Sequence, residues 1–146
     1  MTRFVVFHID YDDKVRDDIN QNGRSSRPEG MLKADLTMPL SDDTDLPSLY
    51  IQAEELNMIH PAGLVDVRSL DFVFETTNHI THNWTENPQV VWAAQNVRST
   101  SVGDLVMNIE TGEIFRCASF GWDAIYHPTL EKEIISKATK VVMETA

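Results

Sequence analysis

Cysteine is almost absent from this chain of 146 residues, because Cys117 is the only one. A lone cysteine excludes an intramolecular disulfide and a cysteine metal cluster. Chains without disulfides are typical of reducing compartments, so the absence favours a cytosolic protein. In the alternating segment FRCASF, Cys117 is predicted to be a small core residue, since a nucleophile would also need a histidine base positioned by the fold.

Basic residues are also scarce. The chain has 12 Lys and Arg against 23 Asp and Glu, which gives a formal net charge of -11. Nucleic-acid phosphates attract clustered Lys and Arg, so this balance argues against direct binding to nucleic acid. It is compatible with a soluble protein that has a solvated acidic surface, with binding to a basic protein partner, or with mimicry of nucleic acid.

Long hydrophobic runs are missing as well. The first apolar segment, FVVFHI, is short and is followed by acids, unlike the apolar region of a signal peptide. No segment approaches the roughly 20 apolar residues of a membrane-spanning helix. We therefore expect no membrane partner and a cytoplasmic location.

Acidic residues dominate the part of the chain that follows this first apolar segment. Between residues 10 and 47 there is little hydrophobic periodicity, with at most a short strand at 31–37. The sequence therefore predicts one domain, residues 1–146, with a long acidic loop or partly disordered excursion at about 10–47. We assign partner binding to its acids, which are Asp10, Asp12, Asp13, Asp17, Asp18, Asp42, Asp43 and Asp45.

The other patterns predict an α+β fold. Short apolar or alternating segments predict strands at 4–9, 48–53, 90–92, 104–109 and 113–119. Ser69 is a predicted N-cap of a helix at about 69–79, and an apolar stripe predicts a C-terminal helix at about 129–144. The expected architecture is a small, mostly antiparallel sheet with a C-terminal β-hairpin, packed by these two helices.

The segment at 97–122, VRSTSVGDLVMNIETGEIFRCASFGW, is central to this prediction because it pairs with itself. Gly103 would supply the positive φ of the turn that precedes the hairpin. Arg98 is predicted either to pair with Asp104 or to reach a partner. The aromatic residues around the hairpin are predicted to be core, but two exposed ones would mark a contact surface. We therefore add Arg98 and Trp122 to the partner-binding residues.

Two histidines are candidates for a metal site. His79 and His82 are three residues apart, which would place both imidazoles on one face of the predicted helix. A zinc site needs a third protein ligand, and the chain has no HExxH motif, so we predict neither a metal nor a cofactor. The alternative is a metal site that combines His79 and His82 with nearby acids.

Residues 69–123 resemble a family of small uncharacterised proteins of bacteriophages and mobile elements. The resemblance lies in a "vF..TN" segment, a "W..N" segment, the motif RSTSVGD and a glycine turn that ends in GW. In this chain the corresponding positions are Val73, Phe74, Thr77, Asn78, Trp84, Asn87, the run 98–104, Gly112, Gly121 and Trp122. The resemblance implies a phage or mobile-element origin, and it implies no catalytic residues.

These observations together favour a small, acidic, phage-type accessory protein without a cofactor. It would bind a host protein in the host cytoplasm and modulate or inhibit it, in host takeover or counter-defence. One alternative is a small metal-dependent hydrolase or nuclease-like enzyme that uses His79, His82 and nearby acids. The other alternative is a virion or assembly component.

Overall fold

The first strand, β1 (Thr2–Ile9), lies inside a six-stranded antiparallel sheet of order β3-β2-β1-β4-β5-β6. The computed structural model describes residues 1–38, 41 and 43–145. The other strands are β2 (Ile59–Val67), β3 (Val90–Ala93), β4 (Leu105–Asn108), β5 (Ile114–Cys117) and β6 (Trp122–Ile125). The α-helices are α1 (Asp13–Asn22), α2 (Pro28–Thr37), α3 (Leu46–Glu55), α4 (Val73–Thr76) and α5 (Pro128–Thr145), with short 3-10 turns at Arg24–Ser26, Leu70–Phe72 and Trp84–Glu86.

The two faces of the sheet are covered by different parts of the chain. Val5, Phe7 and Ile9 of β1 point into a large core that includes buried residues of α2, α3 and α5. Phe4 and Val6 point into a smaller core on the opposite face. A central strand that is buried on both faces reads as an uninterrupted apolar run, which is why FVVFHI predicts it correctly.

Several predicted elements are confirmed. The fold is α+β with an antiparallel sheet, β4 and β5 form the predicted hairpin, and α5 matches the C-terminal helix. Within the residues that the structure describes, no helix combines the length and the apolar character needed to cross a membrane.

The predicted strand at 48–53 is wrong, because this segment lies inside the helix α3. Asp45 caps that helix by accepting hydrogen bonds from the backbone N–H of Ser48 at 3.3 Å and from its hydroxyl at 2.7 Å. Tyr50 and Ala53, three residues apart, are fully buried. This helical spacing and the cap outweigh the β propensity of SLYIQA. Of the strands that the structure describes, the sequence misses two, β2 and β6. In β2, Pro61 lies beside a bulge, a position at which strands tolerate proline.

The prediction of a loop at about 10–47 is wrong for residues 13–22 and 28–37, which form α1 and α2. The short strand at 31–37 is therefore also wrong. Each helix is polar over much of its surface, so the apolar stripe that would identify it in the sequence is weak. Asp42 lies outside the described residues.

The predicted helix at 69–79 is shorter than expected. It consists of a 3-10 turn at Leu70–Phe72 followed by α4, which ends at Thr76. The side chains of Thr77 and Asn78 donate hydrogen bonds to carbonyls of the preceding turn, those of Val73 and Phe74. Such side-chain bonds compete with continued helix, so His79 and His82 lie beyond its end.

Candidate functional site

A group of charged and polar side chains lies where β1 ends, beside the turn that leads into β4. We call it the polar cluster, and its members are His8, Asp10, Lys33, Arg98, Thr100 and Asp104. They come from three distant parts of the chain. His8 lies in β1 and Asp10 directly follows that strand, Lys33 lies in α2, and the 98–104 turn supplies the rest.

Asp104 is the centre of the polar cluster and is only 1% exposed. Its carboxylate accepts two hydrogen bonds from the guanidinium of Arg98, at 2.7 and 2.9 Å. It also accepts from the backbone N–H groups of Ile9, at 2.9 Å, and Ser101, at 2.8 Å. A buried carboxylate with four such donors ties the turn to the end of β1.

Arg98 pairs with Asp104, which is one of the two roles predicted for it. Its remaining donors also bind the protein: Nε lies 3.3 Å from Asp10, and the terminal nitrogens donate to the carbonyls of Ser99 at 2.9 Å and Ile9 at 3.3 Å. Burial lowers the pKa of Arg98, but the hydrogen bonds and charges of the two carboxylates outweigh it and raise the pKa. The guanidinium therefore stays charged and holds the turn in place.

Asp10 is the second acid of the polar cluster. The ammonium of Lys33 donates to it at 2.6 Å, and the same ammonium lies 5.2 Å from the ring centroid of Tyr11. Burial raises the pKa of Asp10, but hydrogen bonds and charges from Lys33 and Arg98 outweigh burial and lower the pKa below its usual value. Asp10 thus links α2 to the 98–104 turn.

His8 is the buried histidine of the polar cluster, with 3% of its surface exposed. Its Nε2 lies 3.0 Å from the hydroxyl of Thr100 and 3.9 Å from the carboxylate of Asp104. Burial lowers the pKa of His8 to about 4, and the opposing attraction of Asp104 only partly offsets this. His8 is therefore neutral at pH 7, and its ring shares a hydrogen bond with Thr100.

The His8 environment predicts a loss of stability in mild acid. Because the pKa rises from about 4 in the folded chain to about 6.5 in the unfolded chain, the unfolded state binds the extra proton first as the pH falls. The contribution of His8 is present above about pH 6.5 and is lost towards pH 4. That loss amounts to about 3 kcal/mol of unfolding free energy, and urea unfolding at a series of pH values measures it. His8→Gln should flatten the plot of unfolding free energy against pH over this range. An unchanged slope would mean that other groups cause the loss.

A cavity of about 330 Å³ opens beside the polar cluster, lined partly by His8, Asp10, Arg16, His60 and Arg98. Polar groups that converge on a cavity are the usual starting point for an active-site hypothesis. Here the polar atoms of His8, Asp10 and Arg98 already make hydrogen bonds within the protein. Their partners are Thr100 for His8, Lys33 and Arg98 for Asp10, and Asp104 for Arg98. These hydrogen bonds and ion pairs hold β1, α2 and the 98–104 turn together, and we assign the polar cluster a structural role.

The other acids predicted to bind a partner are spread along α1 and the start of α3. Asp12 caps α1 by accepting from the N–H of Val15 at 2.9 Å. Asp18 binds the Nε of Arg27 at 2.6 Å. The remaining described acids of the set lie on the exposed surface, and they are Asp13, Asp17, Asp43 and the cap Asp45. Among the described members of the predicted set, the structure therefore brings Asp10 and Arg98 into direct contact.

The two candidate metal ligands have local partners. Nδ1 of His79 accepts the N–H of Trp84 at 3.0 Å. The ring nitrogens of His82 lie 2.9 Å from the hydroxyl of Thr81 and 2.7 Å from the side-chain oxygen of Asn87. Across the described part of the chain, no three His, Cys, Asp or Glu side chains are arranged to hold a metal ion.

The predicted core position of Cys117 is confirmed, since it is 3% exposed. Burial raises the pKa of its thiol to about 11. The thiolate, which is the nucleophilic form, is therefore a minor species at neutral pH.

An exposed aromatic surface lies at the β6 end of the sheet. Phe115 and Trp122 are half-buried against the smaller core, and Ala124 follows Trp122 on the same face of the strand. Phe120 lies at the tip of the β5–β6 turn with 97% of its surface exposed. Phe74 lines a cavity of about 200 Å³ together with Trp122, Asp71 and Cys117. We call these five residues (Phe74, Phe115, Phe120, Trp122 and Ala124) the β6 surface.

The sequence identifies part of these two regions. Trp122 is in the predicted partner-binding set. Phe120 is one of the aromatics around the hairpin that are predicted to be core, and that prediction is wrong for Phe120, because its side chain is 97% exposed. His8 is missed as a partner of Thr100, because the two residues are 92 positions apart in the chain and leave no local signal. The glycine turn before Trp122 is the one signal that could have placed Phe120 at an exposed tip.

Comparisons with known proteins add no relative to this description. No protein-family model, no curated protein and no solved structure matches the chain.

Proposed function

We propose that the chain is a small, acidic, non-catalytic protein that binds a partner protein through the β6 surface. The observation that carries this proposal is the position of Phe120, a large aromatic side chain that is 97% exposed beside the half-buried Trp122. Aromatic residues of this kind supply much of the binding energy at protein interfaces. An exposed aromatic group next to further apolar surface is also a recognised mark of an interaction site.

The charge of the chain supports a basic partner. The net charge is -11, and the segment at 105–126 holds Glu110, Glu113 and Asp123. Its one base, Arg116, is 6% exposed and donates to the carbonyl of Leu36 at 2.9 Å. Acids on and beside the strands that carry the aromatic residues favour a partner that carries Lys and Arg around an apolar pocket.

The resemblance of residues 69–123 to phage and mobile-element proteins suggests where that partner is found. The partner is a host protein of the cytoplasm, and binding modulates or inhibits it, as in host takeover or counter-defence. Phe74 and Trp122, two positions of the resembling pattern, both belong to the β6 surface.

Phe120→Ala is expected to abolish recovery of a stoichiometric partner when the tagged chain is used to capture proteins from a bacterial host lysate. Removal of a central aromatic anchor costs about 2–4 kcal/mol of binding free energy, which weakens the complex by roughly 30-fold or more. The side chain is almost fully exposed, so the free energy of unfolding of the variant should lie within about 0.5 kcal/mol of that of the original chain. Quantitative mass spectrometry of the captured proteins, together with thermal unfolding, measures both effects.

Met143→Ala is the matched control. Met143 is 73% exposed and belongs to α5, at a distance of about 20 Å along the helix from its start near β6. The substitution removes a similarly exposed apolar side chain from another surface of the protein. A partner that binds both variants as tightly as the original chain would exclude the β6 surface as the contact.

A further inference from the structure

The last strand of the sheet has a free edge next to the aromatic residues of the β6 surface. Among the residues that the structure describes, β6 pairs with β5 only, because it ends the strand order. The turn between β5 and β6 is closed by a hydrogen bond from the N–H of Ala118 to the carbonyl of Gly121 at 3.0 Å. In an antiparallel pair, hydrogen-bonded and non-hydrogen-bonded pairs alternate from such a bond onward. The pairs Cys117–Trp122 and Phe115–Ala124 are therefore the non-hydrogen-bonded ones.

The backbone of Cys117 confirms this alternation independently. Its N–H donates to the carbonyl of Asp104 at 2.8 Å, and its carbonyl accepts from the N–H of Gly103 at 2.8 Å. Both groups thus point away from β6. The N–H and C=O groups of Trp122 and Ala124 consequently point out from the sheet, and no hydrogen bond among the described residues uses them.

We infer that the partner binds by adding an extended strand to the free edge of β6, through a segment in which apolar residues alternate with Lys or Arg. This inference rests on the proposed function and specifies its mode. The outward groups of Trp122 and Ala124 supply main-chain hydrogen bonds, as in other complexes formed by strand addition. Alternate side chains of the added strand lie on the sheet face of Phe115 and Trp122, which provides apolar contact.

Charge decides between a basic segment and a second copy of this chain. Two copies paired through β6 would each bring a net charge of -11 to the interface. On this part of the surface the acids Glu113 and Asp123 are exposed, whereas Arg116 is buried. Like charges at an interface are unfavourable, and opposite charges are favourable. A segment with Lys or Arg is therefore the occupant.

The aromatic residues decide between the two edges of the sheet. β3 is the other edge, and its neighbouring segments, ENPQ before it and AQNV after it, carry one charge and a proline. It carries one aromatic residue, Trp92, which is half-buried like Trp122, and its exposed large apolar residue is Val91, at 44%. β6 instead lies beside Phe120 and Trp122, so its edge combines free backbone groups with aromatic anchors.

The test is a selection of binders to the intact chain from a displayed library of random linear peptides. Enriched peptides are expected to alternate apolar residues with Lys or Arg. Amide hydrogen exchange, followed by NMR, should slow at Trp122 and Ala124 when a selected peptide binds. Methylation of the peptide nitrogens that face β6 should abolish binding without any change to the protein.

Two substitutions at one position provide matched variants. Ala124→Pro removes an outward N–H that no internal bond needs, and should weaken peptide binding about tenfold. Ala124→Val changes the side chain but keeps the N–H, and should weaken peptide binding much less than Ala124→Pro does. Thermal unfolding checks that both variants are folded.

The outcomes separate this inference from the proposed function. If Phe120→Ala weakens binding but Ala124→Pro and peptide methylation do not, the β6 surface binds its partner and strand addition is overturned. If neither substitution weakens binding, both proposals are overturned. Acidic binders, an absence of binders, or a dimer in light scattering with Ala124 already protected would each overturn the basic segment as occupant.

Discussion

Asp104→Ala is expected to lower the free energy of unfolding by about 3–5 kcal/mol, as is typical when one partner of a buried ion pair is removed. The substitution leaves the charge of Arg98 without its buried partner, and it removes the acceptor for the N–H groups of Ile9 and Ser101. Buried donors without a partner cost about 1–3 kcal/mol each unless water reaches them. Equilibrium unfolding in urea at neutral pH measures the change.

The control for this substitution is Asp123→Ala. Asp123 is also a carboxylate near an arginine, but its side chain is 60% exposed and lies 4.0 Å from Arg116. Exposed ion pairs contribute about 0–1 kcal/mol, so the loss should be small. A similar loss for both variants would mean that burial of Asp104 adds nothing to its role. The double substitution of Asp104→Ala and Arg98→Ala tests the buried pair directly, because its loss of unfolding free energy should differ from the sum of the two single losses.

Trp84→Ala is expected to cost about 3–5 kcal/mol of unfolding free energy, because Trp84 is fully buried. Its ring lies against the backbone of β2 at Gly63, where an added Cβ would be only 2.9 Å from the ring. Its indole N–H donates to the carbonyl of Arg98 at 2.8 Å, which connects the turn at Trp84–Glu86 to the polar cluster. Trp84→Phe should cost less than Trp84→Ala, since part of the ring volume remains.

Gly63 provides the matched test for this contact. Gly63→Ala alone should destabilise the chain, because its Cβ would collide with the ring of Trp84. In the Trp84→Ala background the collision is removed, so the same substitution should cost much less. The two losses are therefore expected to be strongly non-additive in urea unfolding. Additive losses would contradict the packing of the ring against β2.

The elements that the sequence predicts correctly are those with a strong local pattern. β1 is a continuous apolar run, α5 has an apolar stripe over 18 residues, and the β4–β5 hairpin has a turn glycine between alternating segments. Each of these signals lies within one short window. Where the local signal conflicted, as in SLYIQA, the strand propensity was misleading and the Asp45 cap with helical spacing was correct.

The candidate surfaces depend on contacts that no short window contains. Arg98 and Asp10 are 88 residues apart in the chain, and their contact exists only because β1 and the turn before β4 meet at one end of the sheet. The acids of α1 looked like one partner-binding set in the sequence. In the structure, two of them are an N-cap and a salt-bridge partner, Asp12 and Asp18. Composition records the number of charges but not which of them are paired.

By itself the sequence determined the α+β class, the acidic character, the central strand and the C-terminal helix, because composition and periodicity act locally. Only the tertiary structure decided that Arg98 is held inside the polar cluster and that Phe120 and Trp122 stand at a free sheet edge. Strand order and side-chain burial are set by long-range packing. The residue types were visible in the sequence, and the fold determined which of them remain on the surface.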